Sequence, residues 1–183
     1  MINPKKLEAM KRIQAEFKDL NANPMVNFGI TVGLENENDI FRWKCTIMGP
    51  KDTNYKGGLF YLKIIFPDDY PRKKPEIYFI TPIYHLNVKF FTLGAEPVGH
   101  ICLSTLNDWK SEYNIKKVLS EIFYLFSNNN PKSPYDFTDQ RRRNEFLSNR
   151  QLFETKVKYF TTKYAHPKVK QKEYKTNWDF SYP

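Results

Sequence analysis

The sequence predicts an α+β domain, on three observations. An amphipathic helical period opens the chain, a row of short alternating segments follows, and helical periods return after residue 114. Strands that succeed one another through tight turns pair most simply as an antiparallel meander, here of four strands, with helices before and after it. The 183 residues amount to one domain, large enough to bury a sizeable core. With 15 Phe, 12 Tyr and 3 Trp, the chain carries too much aromatic bulk for disorder.

Each element has its own signal. Leu7, Met10, Ile13, Phe17 and Leu20 recur every three or four residues and predict a helix over residues 5–20, stopped by Asn23-Pro24. Val26, Phe28, Ile30 and Val32 alternate as a first strand, and Phe41, Trp43, Cys45 and Ile47 as a second. Gly49-Pro50 and Gly57-Gly58 bracket a connection to a third strand over 59–66, and a Pro67-to-Pro71 turn leads to a fourth over 76–80. From residue 81 to 114 no period is sustained. A long irregular stretch in a compact domain is usually functional or disordered, and this one holds too many apolar residues for a floppy linker. Ile115, Val118, Leu119, Ile122, Phe123, Leu125 and Phe126 then cover most of a helix circumference, predicting a largely buried helix. Two further helices are expected near 138–147 and 150–164, before a basic tail that starts at His166-Pro167.

Composition excludes several classes. No apolar run is long enough for a membrane span, since residues 59–66 are broken by Lys63, and the opening six residues lack the apolar core of a secretory signal. Two cysteines, Cys45 and Cys102, form neither a disulfide framework nor a metal pair. An intracellular protein, cytoplasmic or nuclear, with no metal and reduced thiols, is therefore expected. The net charge is +9, and residues 141–183 hold eleven Lys+Arg against four Asp+Glu. Such a cluster suits phosphate or an acidic protein surface, but the simpler reading is a solvated helix face and a Lys-rich tail. No nucleic-acid motif frames the aromatic residues of the tail, so nucleic acid is not an expected partner.

Of the two thiols, Cys45 shares its alternating face with Trp43 and Ile47 and reads as a small core residue. Cys102 lies in the irregular stretch and is the nucleophile candidate. His85 and Asn87 share that stretch and raise a Cys–His–Asn hydrolase. That reading is weak, because no helix is expected behind Cys102 before Ile115 and His100 lacks an orienting partner.

A longer string of motifs points elsewhere. Phe41-Arg42-Trp43, Ile47-Met48-Gly49-Pro50, Thr53, Tyr55, Gly57-Gly58 and Phe60 come first. Ile65 to Pro71, Pro75, Thr81 to Asn87 and Gly99-His100-Ile101-Cys102-Leu103 follow. Trp109, Ile115, Asn130-Pro131, Pro134, Asn149-Arg150, Phe153 and Thr162 to Ala165 complete the order. Over residues 5–165 this string resembles the ubiquitin-conjugating enzymes.

The resemblance implies a catalytic core over 1–165 and a basic tail over 166–183. Cys102 would take the C-terminal carboxyl of ubiquitin, or of a ubiquitin-like modifier, from an activating enzyme and pass it to a substrate lysine, usually with a ligase. No cofactor is implied, ATP being consumed by the activating enzyme upstream, and a monomer is expected. Asn87 would stabilise the oxyanion or brace the loop beside Cys102, while His85 would be a structural hydrogen-bonder. Other features resemble branches serving a SUMO- or NEDD8-like modifier, and a non-catalytic variant of the fold is a further alternative.

The departures are specific. Leu86 replaces the motif proline, leaving the turn before Asn87 less constrained. Residues 90–96 look like an insertion that lengthens the step from Asn87 to Cys102. Ser104 stands where many members carry Asp, and Ser133 matches a gate position that is often Asp, where phosphorylation would restore negative charge. Arg72 takes the place of an aromatic residue, and Ser111-Glu112 that of a Pro-Ala pair, at positions that would face a ligase.

Overall fold

Asn3 starts the first helix: its side chain accepts the Lys5 N–H at 3.0 Å, and Pro4 supplies a preset φ at the first position. The computed structural model describes residues 3–93, 96–128, 140–168 and 181–183. Helix α1 (Pro4–Ala22) buries Ala9, Ile13 and Leu20 and packs Phe17 edge-on against Trp43. Leu7, predicted on the inner face, is instead exposed.

The predicted first strand begins late. Val26–Phe28 form a 3₁₀ turn rather than a strand, and Gly29, in the left-handed region at φ 59°, redirects the chain into β1 (Ile30–Asn36). Strands β2 (Asp39–Met48), β3 (Leu59–Ile65) and β4 (Glu76–Phe79) continue the antiparallel meander, with Val32 opposite Cys45, Cys45 opposite Leu62 and Leu62 opposite Phe79. Alternation sets the inner face: Trp43, Cys45, Ile47, Phe60, Leu62 and Ile64 are buried in turn.

The sheet has six strands, not the four expected. After β4 the chain runs irregularly but wholly buried through residues 81–87, then forms a hairpin, β5 (Val88–Leu93) and β6 (Glu96–Ile101). Strand β6 adds to β4 through Tyr78 opposite His100 and Phe79 opposite Gly99, giving the order β1-β2-β3-β4-β6-β5. Gly99 makes this crossing fit, since a Cβ there would lie 2.8 to 3.1 Å from the side chains of Phe90, Val88 and Phe79.

A four-residue helix, α2 (Ser104–Asn107), follows Cys102, where the sequence suggested no helix before Ile115. Helix α3 (Ile115–Leu125) is capped by the Asn114 side chain and buries Ile115, Val118, Leu119 and Ile122. Helices α4 (Gln140–Ser148) and α5 (Arg150–Tyr164) fall where two helices were expected, and Phe153, Val157 and Phe160 anchor α5 to the body. One apolar cluster runs from Ala9 to Ala165. Among the described residues, no helix is long and apolar enough to cross a membrane.

Candidate active site

The site is built on the return of the hairpin. Val88 pairs with Ile101, so the next residues outward, Asn87 and Cys102, meet at the hairpin's open end. The Cys102 N–H donates to the Asn87 carbonyl at 2.8 Å. The stretch expected to be an insertion, residues 90–96, therefore does not carry Asn87 away from Cys102. Its described residues belong to β5 and β6, whose antiparallel pairing returns both site residues to one place. Gly94 and Ala95 lie outside the described residues.

His85 fixes the turn that leads into Asn87. Its Nδ1 accepts the Asn87 N–H at 2.9 Å, and its Nε2 lies 2.8 Å from the Leu125 carbonyl at the end of α3. A carbonyl can only accept, so the ring is the neutral tautomer with its proton on Nε2. Burial pulls the imidazole down to about 4, against the pull of the Leu125 carbonyl in the other direction. Both ring nitrogens are engaged, which is the structural role expected of it.

Leu86 holds the same turn by other means. Where a proline would stiffen the backbone, Leu86 is driven into the core with 1 % of its surface exposed. The Tyr55 hydroxyl donates to the Tyr84 carbonyl at 2.8 Å just upstream. The side chains of Asn87 and Cys102 are themselves buried, Cys102 keeping 6 % of its surface exposed.

Cys45 is the other free thiol, and it sits in the sheet core, where burial pushes it up to about 12. A thiol so hard to ionise is a poor nucleophile. Ser104 is exposed as the first residue of α2, whereas the next residue, Thr105, is buried and hydrogen-bonds Glu121 of α3. Ser133 lies outside the described residues, as do Asn130, Pro131 and Pro134.

Arg72, Ser111 and Glu112 are exposed on two loops that the structure ties together. The Trp109 indole donates to the Pro71 carbonyl at 2.7 Å, and the Glu16 carboxylate accepts both the Tyr70 hydroxyl at 2.7 Å and the Ile115 N–H at 2.8 Å. Arg72 itself reaches Glu8 of α1 at 2.7 Å, an exposed pair of little energetic weight.

Sequence reasoning missed Arg142, read there as part of a solvated basic run. It is buried, and its guanidinium donates to the Val88 carbonyl at 3.0 Å. Nothing in the local pattern distinguishes it from Arg141 and Arg143 beside it. Among the described residues no group of three or more His, Cys, Asp or Glu is placed to hold a metal ion.

The family model for "ubiquitin-conjugating enzyme" matches residues 12–161. The chain belongs to that family. The match spans the sheet, the hairpin and both residues of the candidate site, and it ends within α5.

Proposed function

We propose that this chain carries ubiquitin, or a ubiquitin-like modifier, as a thioester on Cys102 and transfers it to a substrate lysine. The observation that supports the reading best is the hydrogen bond from the Cys102 N–H to the Asn87 carbonyl, which keeps the thiol beside the motif asparagine despite the hairpin between them. In the transfer step, the lysine nitrogen attacks the thioester carbonyl carbon, negative charge gathers on its oxygen, and the C–S bond then breaks with the sulfur leaving as thiolate. The Asn87 side-chain amide, if turned to that oxygen, supplies a neutral hydrogen-bond donor. The amine's second proton passes to solvent or to a base of the partner complex, because the neutral His85 has both nitrogens occupied. A thioester with no strong base beside it also resists hydrolysis while it waits.

A charging assay tests this: the protein is mixed with activating enzyme, ATP and each modifier in turn and run on non-reducing gels. A reductant-sensitive adduct is expected, lost in Cys102→Ala and retained in Cys45→Ala. The modifier that charges distinguishes ubiquitin from a SUMO- or NEDD8-like relative. The burial of Cys102 favours one rival, a non-catalytic variant that binds partners through the same fold. No adduct with any modifier would establish the rival.

The loops bearing Arg72, Ser111 and Glu112 are proposed to face the ligase, with a cation and an acid in place of apolar contacts selecting an unusual partner. A panel of RING ligases is then expected to stimulate discharge poorly, and Arg72→Phe to widen the set that does. Ordinary stimulation of the unaltered protein across the panel would refute it.

A further inference from the structure

Three consecutive arginines lie in the first turn of α4, and they are not equivalent. Arg141 is exposed and Arg143 partly so, whereas Arg142 is turned inward with 7 % of its surface exposed. A buried guanidinium is costly unless polar or aromatic groups replace its water. Here the replacements come from the segment that carries Asn87. Besides its bond to Val88, the same nitrogen lies 3.5 Å from the His85 carbonyl. The guanidinium carbon sits 5.0 Å from the Tyr84 ring centroid and 5.4 Å from that of Phe90.

The direction of the Val88 carbonyl explains what this contact does. Successive carbonyls of an extended strand point to opposite sides. That of Asn87 points inward to the Cys102 N–H, so that of Val88 points outward, across the free edge of β5, the last strand in the sheet. An edge carbonyl is ordinarily left to water. Arg142 binds it instead. Asn87 is thereby fixed through three backbone bonds around it: its N–H to His85, its carbonyl to Cys102, and the next carbonyl to Arg142. One helical turn on from Arg142, Glu145 accepts from the Tyr84 hydroxyl and from Lys156, so α4 holds the segment at a second point.

We propose that Arg142 is a positioning residue for the transfer step, holding the edge carbonyl of Val88 so that the Asn87 side chain keeps its place relative to the Cys102 sulfur. The proposal rests on the roles given above to Cys102 and Asn87. It predicts a loss in the maximal rate of transfer rather than in lysine affinity, since Arg142 is buried behind the Asn87 segment and offers the incoming amine almost no surface.

The test is single-turnover discharge of preformed thioester to free lysine, over a range of lysine concentrations, for Arg142→Met and the milder Arg142→Lys. Arg141→Gln, which removes a neighbouring exposed charge, serves as control. Expected are charging close to that of the unaltered protein, a fall of about tenfold or more in the maximal discharge rate for Arg142→Met, and an unchanged half-saturating lysine concentration. Arg142→Lys should recover part of the rate. Adding Asn87→Ala to Arg142→Met should cost little more than Asn87→Ala alone. The Asn87 side-chain amide resonance should move in both Arg142 variants but not in Arg141→Gln. Unchanged discharge with an unmoved resonance would overturn the proposal, as would losses that multiply independently in the double variant. Failure of the unaltered protein to charge at all is a separate result, and it would remove the parent reading together with this one.

Discussion

His85 shows how much one buried side chain settles. The neutral ring donates at one nitrogen and accepts at the other, and protonating Nδ1 would turn the acceptor of the Asn87 N–H into a second donor. Its folded value of about 4 lies below the ordinary 6.5, so the unfolded chain binds this proton first as the pH drops. The stabilisation is complete above about pH 6.5 and is lost progressively down to about pH 4, amounting to about 3 kcal/mol for a shift of this size. Half-buried His100 is also lowered, mainly by burial, and acts in the same direction. Urea midpoints measured across that window should rise with pH, and His85→Gln should flatten much of the rise. A slope that survives His85→Gln intact would show that other groups produce it. The hydrogen-bonding role of His85 was readable in the sequence, and so was the candidacy of Cys102 and Asn87, because all three stand in a motif. Arg142 was not, since burial of one arginine among three depends on where α4 docks, and that is a tertiary fact.

The elements differ in how plainly the sequence announces them. Strands β2 and β3 alternate cleanly because one face is core and the other is wet. Helix α3 shows its period because Ile115, Val118, Leu119 and Ile122 line one buried stripe while Lys117 and Tyr124 on the other side are exposed, so the helix is less enclosed than the sequence predicted. The β5–β6 hairpin escaped notice for physical reasons. Val88 is buried and Lys89 exposed, but the next residues are two phenylalanines, one on each face, which erase the period. The wholly buried stretch before it has no period either, because every side chain points into protein. Helices α4 and α5 were visible, yet the polar link between them was not: Lys156 pairs with Glu145, and both side chains are nearly buried. Removing one member leaves an unpaired charge, so Lys156→Met should destabilise by about 3 kcal/mol. Adding Glu145→Gln should restore part of that loss, measured by urea denaturation. If the double variant is no better than the single, the pair is not what holds the two helices.

At the scale of the whole molecule, the chain closes on itself. The Leu59 N–H, at the start of β3, donates to the Ala165 carbonyl just beyond α5 at 2.7 Å, and the apolar cluster is continuous from α1 through the sheet to α5. No seam divides the cluster, so unfolding should be a single cooperative event. Far-UV and near-UV circular dichroism should give superimposable denaturation curves, whereas a helical transition preceding the loss of aromatic signal would reveal α4 and α5 as a separate unit. The charge asymmetry belongs to this scale too. The C-terminal third carries most of the +9, and residues 169–180 of the tail lie outside the described residues.

The return of the hairpin to its starting register has a further meaning. Length added at the tip in matched pairs, one residue per arm, leaves the base of the ladder as it was, while a single unmatched residue would have to be absorbed as a bulge or slip the pairing by one. The tip is thus free to drift in size and sequence, and to acquire contacts of its own, while the chemistry at its root stays in register.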